Sequence, residues 1–375
     1  MGGRFSQLTA PGVQGLKPYQ PGKPIAELER EYGVRDIVKL ASNENPFGPS
    51  PCAQQRIVAG VADLARYPDA NGFELKRALA DRHGVAPECI TLGNGSNDVL
   101  VLLAQAFLGP GIEAVYSRYA FAVYPIAVQA AGAVHRVAEA RPADDEVAPY
   151  GHDLDAMGAL VGEKTRLVFI ANPNNPTGTW LPGEAVREFI EAVPRDTLVV
   201  LDQAYLDYVR DPAYANAAEW LERYPNLVVT QTFSKAYGLA GLRVGYSLSH
   251  PEVAEVLNRL RQPFNVNSLA LEAAEAALGD PGHVEHCVQV NNAERARVAA
   301  ACARQGMSVV PSACNFVLVD TGRDAAGLYE ALLQEGVIVR PVGNYGLPRH
   351  LRISIGTPRE NDRFIVALET VAAGE

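Results

Sequence analysis

The sequence predicts an α/β fold: a large unit with a mainly parallel sheet flanked by helices, and a smaller α+β unit. Two observations predict it. Short apolar runs at 166–171, 197–201 and 227–229 alternate with helix-like stretches at 183–193 and 213–222. Strands that alternate with helices form parallel sheets with right-handed crossovers, and their carboxyl ends line the ligand crevice. From about His250 the order changes to helices over 251–261, 268–278 and 283–305, then a strand over 308–320 and a helix over 324–335. Strands over 337–341 and 351–355 and a final helix from Glu360 complete that second unit. The implied division is an N-terminal arm with part of the small domain at 1–39, a large domain at 40–275 and a small domain at 276–375.

Composition supports a globular protein with an ample core, 48% hydrophobic and 20% charged. Lysines and arginines number 33 against 43 acidic residues, a net charge of −10, which speaks against nucleic acid and anionic membrane as partners. No apolar run reaches membrane-span length and the N-terminus has no secretory pattern, so a cytoplasmic location is expected. The cysteines at 52, 89, 287, 302 and 314 are odd in number and scattered, as expected of free thiols in a reducing compartment. His283 and His286 lie three apart on an expected helix, without a second ligand pair to make a metal site.

In chain order, residues 1–35 are rich in Gly and Pro, with a helix-like stretch at 24–32 and Tyr19 on a stiff extended arm beside Pro18 and Pro21. A polar turn at 40–46 follows a short strand, and Arg66-Tyr67-Pro68-Asp69 comes next. A strand at 89–92, a glycine turn at 93–97 and a helix at 98–108 make an anion seat, because a helix N-terminus offers unpaired N–H groups and positive potential. Asp98 occupies the last position of the would-be G-x-G-x-x-G, so one phosphate fits better than a dinucleotide. Ser96 and Asn97 are the cradle candidates. An aromatic stretch at 119–124 follows the short strand at 114–116, and residues 136–150 read as an exposed connection.

The runs at 166–171 and 197–201 stop at 172–178 and at Asp202-Gln203-Ala204-Tyr205. The third leads into residues 230–246, with hydroxyls at Thr230, Thr232 and Ser234, then Lys235, and Arg243 eight positions on. Lys235 has no acidic residue within ten positions on either side. A lysine among small, aromatic and hydroxyl residues suits Schiff-base chemistry with an aldehyde cofactor, because desolvation frees the amine lone pair. Asn175, Asp202, Tyr205 and Lys235 all sit just past strand ends and are expected to converge.

N-N-P-T-G at 174–178, D-x-A-Y at 202–205, S-K-A-Y-G-L-A-G-L-R at 234–243 and L-R-I-S-I-G-T at 351–357 resemble, in this order, the motifs of fold-type I pyridoxal-phosphate aminotransferases. With L-x-P-Y-x-P-G-K-P at 16–24, R-Y-P-D at 66–69 and G-N-G-S-N-D at 93–98, the chain is similar to the histidinol-phosphate aminotransferase family from about residue 16 to 370. The resemblance implies pyridoxal 5′-phosphate on Lys235, its phosphate held by Ser96, Asn97, Thr232, Ser234 and Arg243. Asp202 is implied as the partner of the ring nitrogen. Tyr205 and Asn175 would donate to the 3′-oxygen, lowering the pKa of the lysine–cofactor adduct. Phe121, with Tyr124 three positions on, is the implied stacking ring, and Tyr119 is the other candidate. Tyr67 would reach the cofactor phosphate of the other subunit of a homodimer with shared active sites. Tyr19, Asn175, Arg340 and Arg352 would meet substrate, with Arg352 on a carboxylate and Arg340 on a second anion. The implied reaction interconverts L-histidinol phosphate plus 2-oxoglutarate with imidazole-acetol phosphate plus L-glutamate. Related scaffolds serve aromatic amino acids or decarboxylate phosphothreonine.

Overall fold

The computed structural model describes residues 4–373; the first three residues of the expected arm and the last two of the chain lie outside the described residues. Among the described residues thirteen strands form three sheets. Strand β1 (Val38–Lys39) stands apart from the central strands β2 (Ile90–Gly93), β3 (Glu113–Ser117), β4 (Val134–Ala138), β5 (Thr165–Ala171), β6 (Leu198–Asp202), β7 (Leu227–Thr232) and β8 (Gly245–Ser249). The C-terminal part contributes β9 (Ser308–Val310), β10 (Phe316–Asp320), β11 (Val337–Ile338), β12 (Arg340–Pro341) and β13 (His350–Ser354).

The seven-stranded sheet has the order β2-β8-β7-β6-β5-β3-β4. Its neighbours run parallel except β8, which is antiparallel to both β2 and β7. Val168, Ile170, Val199, Leu201, Leu227 and Val229 are fully buried or nearly so, as central parallel strands covered by helices on both faces require. This sheet therefore ends several strands at one edge, where loops of Asn, Pro and Gly take over.

The second sheet, β12-β13-β10-β9, is antiparallel. Val317, Val319, Leu332, Val337, Ile353 and Phe364 pack beneath it as a core separate from that of the large sheet. The 24-residue helix Pro281–Arg304 lies against β9 and β10. A two-stranded parallel pair joins β1 to β11 through Val38↔Val337 and Lys39↔Ile338. The chain thus begins its ordered course beside the small sheet, and residues 40–45 then cross to the carboxyl edge of the large one.

Four expectations are corrected. The stretch 213–222 is not an α-helix but a single 3₁₀ turn, Ala217–Trp220. Asn216 caps it through Ala218 N–H, Gln203 accepts from Ala217 N–H, and Tyr214 turns inward to donate to the Asn172 carbonyl at 2.6 Å. The run 308–320 is two strands, since Pro311 has no ladder donor and residues 311–315 turn the chain so that Val310 pairs with Leu318. The run 337–341 is likewise divided between two sheets at Val339. Finally, 136–150 begins inside β4, whose exposed Val134, His135 and Arg136 make it a polar edge strand; charge on an edge discourages further pairing and hides the strand pattern.

Among the described residues no helix is long and apolar enough to cross a membrane, and no cluster of His, Cys, Asp and Glu is suited to a metal. All five cysteines are free thiols. His283 contacts the Gly48 carbonyl and Cys287, while His286 packs edge-on to Phe47.

Candidate active site

A cavity of about 560 Å³ opens at the carboxyl edge of the large sheet and is closed from the other side by residues 19–22, 41–43 and Arg352. Its size suits a small-molecule ligand.

One end is an anion seat. The helix Ser96–Phe107 begins after Gly95 with no side-chain cap; Asp98 N–H bonds back to the Gly95 carbonyl, which leaves the N–H groups of Ser96 and Asn97 for the cavity they line. Gly95 has φ +83°, and a Cβ there would lie 2.6 Å from Arg243 Nη2. A Cβ on Gly245 would lie 2.4 Å from Ser96 N, so that glycine lets β8 run directly beneath the seat. Asp98 accepts from Asn94 N–H and Asn265 Nδ2, which locks the turn. Thr232, Ser234 and Arg243 close the seat. Arg243 Nη1 lies 3.4 Å from Ser234 Oγ, and no carboxylate among the described residues pairs with this arginine.

At the centre, Asp202 leaves β6 and is 5% exposed. It accepts from Tyr124 Oη at 3.0 Å and from Ala204 N–H at 3.3 Å. Burial raises its carboxyl pKa above the usual range, with Tyr124 opposing. No cationic side chain pairs with it among the described residues, so the carboxylate lacks the counter-charge that burial demands. Phe121 lines the cavity, edge-on to Tyr124 at 5.9 Å. Tyr119 packs edge-on to Tyr150 and is not among the residues that line the cavity.

Lys235 sits on the loop after β7 with its Nζ 3.2 Å from the Asn43 carbonyl, 3.4 Å from the Ser42 carbonyl and 5.6 Å from the centre of the Tyr205 ring. Burial, and secondarily the charge of Arg352, lowers its pKa from the usual lysine value to about 8. Gly238 (φ +70°) holds this loop against the backbone of Gly48, where a Cβ would be 2.2 Å from a carbonyl oxygen.

The far end is Arg352, on β13. It is 5% exposed and donates to Asn175 Oδ1 at 2.5 Å and to the Ala41 carbonyl at 2.8 Å, its guanidinium standing 5.3 Å from the Phe316 ring centre. Its Nε has no partner and no carboxylate pairs with it among the described residues. A buried fork with spare donors is a receptor for a carboxylate or phosphate.

The structure brings together Ser96, Asn97, Phe121, Asn175, Asp202, Tyr205, Thr232, Ser234, Lys235, Arg243, Tyr19 and Arg352. Two expected residues stand elsewhere. Arg340 pairs directly across the strands with Arg352 but is not among the residues that line the cavity; it donates to the Gln20 carbonyl and its guanidinium lies 5.9 Å from the Tyr19 ring centre. Tyr67 is 83% exposed and stacks on Phe264 at 4.7 Å, on an outer face that also exposes Val61, Leu64 and Phe73. Asn43 and Ser354 were missed as site residues by sequence reasoning, and Tyr124 was named only as the companion of Phe121, not as the partner of Asp202. Asn43 has φ +54°, a conformation that asparagine tolerates better than most residues, and the asparagine-rich turn at 40–46 was its only local signal.

The aminotransferase class I and II family matches residues 35–368. Histidinol-phosphate aminotransferase 2 of Methylococcus capsulatus is 56% identical, over 98% of this chain and 99% of that one. The protein of the same name from Pseudomonas fluorescens is 55% identical over 100% of both chains. The crystal structure of histidinol-phosphate aminotransferase from Sinorhizobium meliloti in complex with pyridoxal-5′-phosphate superposes with a TM-score of 0.89 at 31% identity, covering 100% of this chain and 99% of that one. The chain belongs to the class I and II aminotransferases, and within them to the histidinol-phosphate aminotransferase family.

Proposed function

We propose that the chain is a transaminase that uses pyridoxal 5′-phosphate to interconvert L-histidinol phosphate and 2-oxoglutarate with imidazole-acetol phosphate and L-glutamate, a step of histidine biosynthesis. The observation that carries this reading is the line of orphaned groups along one cavity: an anion seat, a buried carboxylate lacking a cation, a lysine of lowered pKa and a buried arginine fork. The cofactor fits that line. The uncapped helix start, Ser96, Asn97, Thr232, Ser234 and Arg243 would hold its phosphate, Asp202 would neutralise its protonated ring nitrogen, and Phe121 would lie against its ring.

Bound there, pyridoxal phosphate supplies an aldehyde to carry the amino group and a cationic ring that accepts electrons from the substrate carbon. The protein's own groups do the rest. Lys235, its pKa lowered by burial, would act as the base that takes the proton from the substrate carbon bearing nitrogen and then as the acid that delivers that proton to the cofactor carbon that keeps the amino group. Asp202, held by Tyr124, would keep the ring nitrogen protonated. Asn175 has its oxygen engaged by Arg352, which leaves its amide hydrogens to donate into the cavity. Arg352 meets the carboxylate of glutamate and Tyr19 covers the entrance, while Arg340 supports that tyrosine and lends positive charge for the substrate phosphate.

A second copy of the chain would cover the Tyr67–Phe264 face and receive Tyr67 at its own phosphate seat, making a homodimer with shared sites. The exposed Tyr67–Phe264 stack, with exposed Val61, Leu64 and Phe73 nearby in sequence, supports that face as an interface. Domain limits near 39 and 275 are supported by the separate cores of the two sheets, although Leu40 packs in the smaller core and Ala277 in the larger. Buried free thiols at Cys287, Cys302 and Cys314 support a cytoplasmic setting.

The test is a titration of the purified yellow protein with L-histidinol phosphate and, separately, with L-phenylalanine. Bleaching at far lower histidinol phosphate supports the proposed substrate. The reverse order would make the chain an aromatic aminotransferase, and a colourless protein that takes up no cofactor would overturn the cofactor assignment.

A further inference from the structure

Asn43 spends every polar group it owns, and it divides them between two regions. Its side-chain Nδ2 donates to Tyr205 Oη at 3.0 Å, and its carbonyl accepts from Lys235 Nζ at 3.2 Å. On the other side its N–H donates to Ser354 Oγ at 2.8 Å, Ser354 Oγ donates to Asn43 Oδ1 at 2.8 Å, and Asn315 Nδ2 donates to the Asn43 carbonyl at 3.0 Å. Asn43 is 1% exposed, and Ser354 and Asn315 are also buried.

The amide orientation is assigned from the network. Ser354 Oγ accepts the Asn43 N–H, and its own hydrogen is used only when it goes to Asn43 Oδ1, the orientation that turns Nδ2 toward Tyr205. Tyr205 Oη therefore accepts from Asn43, and its phenolic hydrogen is left to point elsewhere. Tyr205 is 4% exposed and lines the cavity, so the cavity is where that hydrogen finds an acceptor. With the opposite amide orientation Tyr205 would donate to Asn43 and have nothing to offer a ligand.

We propose that Asn43 is a positioning residue for the reaction: held by Ser354 and Asn315, it aims the Tyr205 hydroxyl hydrogen at the ligand and seats the Lys235 amine. This rests on the cofactor reading given above. The left-handed backbone of Asn43 is part of the device, because φ +54° turns its carbonyl and its side chain onto two neighbouring functional groups.

The holoenzyme's visible absorbance changes with pH as the lysine–cofactor adduct loses its proton, and a hydroxyl donating to the ring oxygen lowers that midpoint. The experiment compares the midpoint in wild type, Tyr205→Phe, Asn43→Gly and the double variant. Glycine takes the left-handed backbone without strain and removes only the side chain. Tyr205→Phe is expected to raise the midpoint by about one pH unit or more. Asn43→Gly should reproduce at least half of that rise, and the double variant should go no further than Tyr205→Phe alone. Ser354→Ala, which releases Asn43 Oδ1, should move the midpoint the same way by a smaller amount, and it stands in if Asn43→Gly does not fold. A midpoint unchanged in Asn43→Gly or, failing that, in Ser354→Ala, while Tyr205→Phe shifts, would overturn the proposal. So would a Tyr205→Phe midpoint equal to wild type, since there would then be no hydroxyl effect to position. A wild-type protein with no visible band would instead overturn the cofactor reading on which this one rests.

Discussion

The wall of the cavity built by the large sheet and the wall built against it use the same kinds of side chain in opposite ways. On the first, Asp202 is held by Tyr124, Arg243 by Ser234 and Ala240, and the phosphate turn by Asp98, all within one sheet and its loops. On the second, Arg352 keeps an unpaired Nε, Tyr19 is 50% exposed, and Arg340 reaches only a backbone carbonyl on the arm. A wall whose groups are aimed by short-range bonds suits one ligand that stays. A wall with spare donors and a half-exposed tyrosine suits two ligands that alternate, one carrying a carboxylate and the other a phosphate.

If that contrast is right, changes on the two walls will fail differently. The largest effect is expected from Lys235→Ala, which should lower turnover by about 10⁴-fold or more while circular dichroism shows a folded protein. Turnover within tenfold of wild type would remove the lysine from the mechanism. Asp202→Asn should lower kcat by about 10²–10³-fold in both half-reactions alike, because it weakens the electron sink rather than either substrate. A loss confined to one amino donor, read by single-turnover kinetics, would break the comparison.

On the opposite wall the signature is KM. Arg352→Leu should raise KM for glutamate by about 100-fold, the scale of losing a charge-assisted fork. Arg340→Gln should raise KM for histidinol phosphate by about tenfold and leave the glutamate half-reaction nearly unchanged. Equal effects on both donors would mean that Arg340 acts only through the placement of Tyr19.

The smallest effect concerns stability without the cofactor. Lys235 has a folded pKa of about 8 against the unfolded lysine value, so the unfolded chain binds more protons between those limits and stability rises with pH across them. Calorimetry from pH 8 to pH 10 should therefore show wild-type apoprotein gaining on Lys235→Met by about 1–3 kcal/mol. A difference that stays flat or narrows would place the amine in a more solvated setting.

The two walls also differ in how far the sequence disclosed them. Lys235, Asp202 and Asn175 follow apolar strands directly, and a strand end in a parallel sheet already has an address. Ser96 and Asn97 open a helix after a glycine turn, which is equally local. Asn43 meets Tyr205 across 162 positions and Ser354 across 311, so their bonds exist only once the two sheets have come together. The same distance explains Arg340. The run 337–341 reads as one strand, and nothing local says that it changes sheets at Val339 or that the arm will lie over its arginine. The misread stretch 213–222 has the composition of a helix, but Gln203, Asn216 and Tyr214 take its backbone and neighbours into other bonds.

Arg340 and Arg352 face one another across adjacent antiparallel strands, where like charges oppose pairing. Both guanidiniums are buried, at 7% and 5% exposed, so an anion bound beside them would also ease the repulsion within the sheet that holds it.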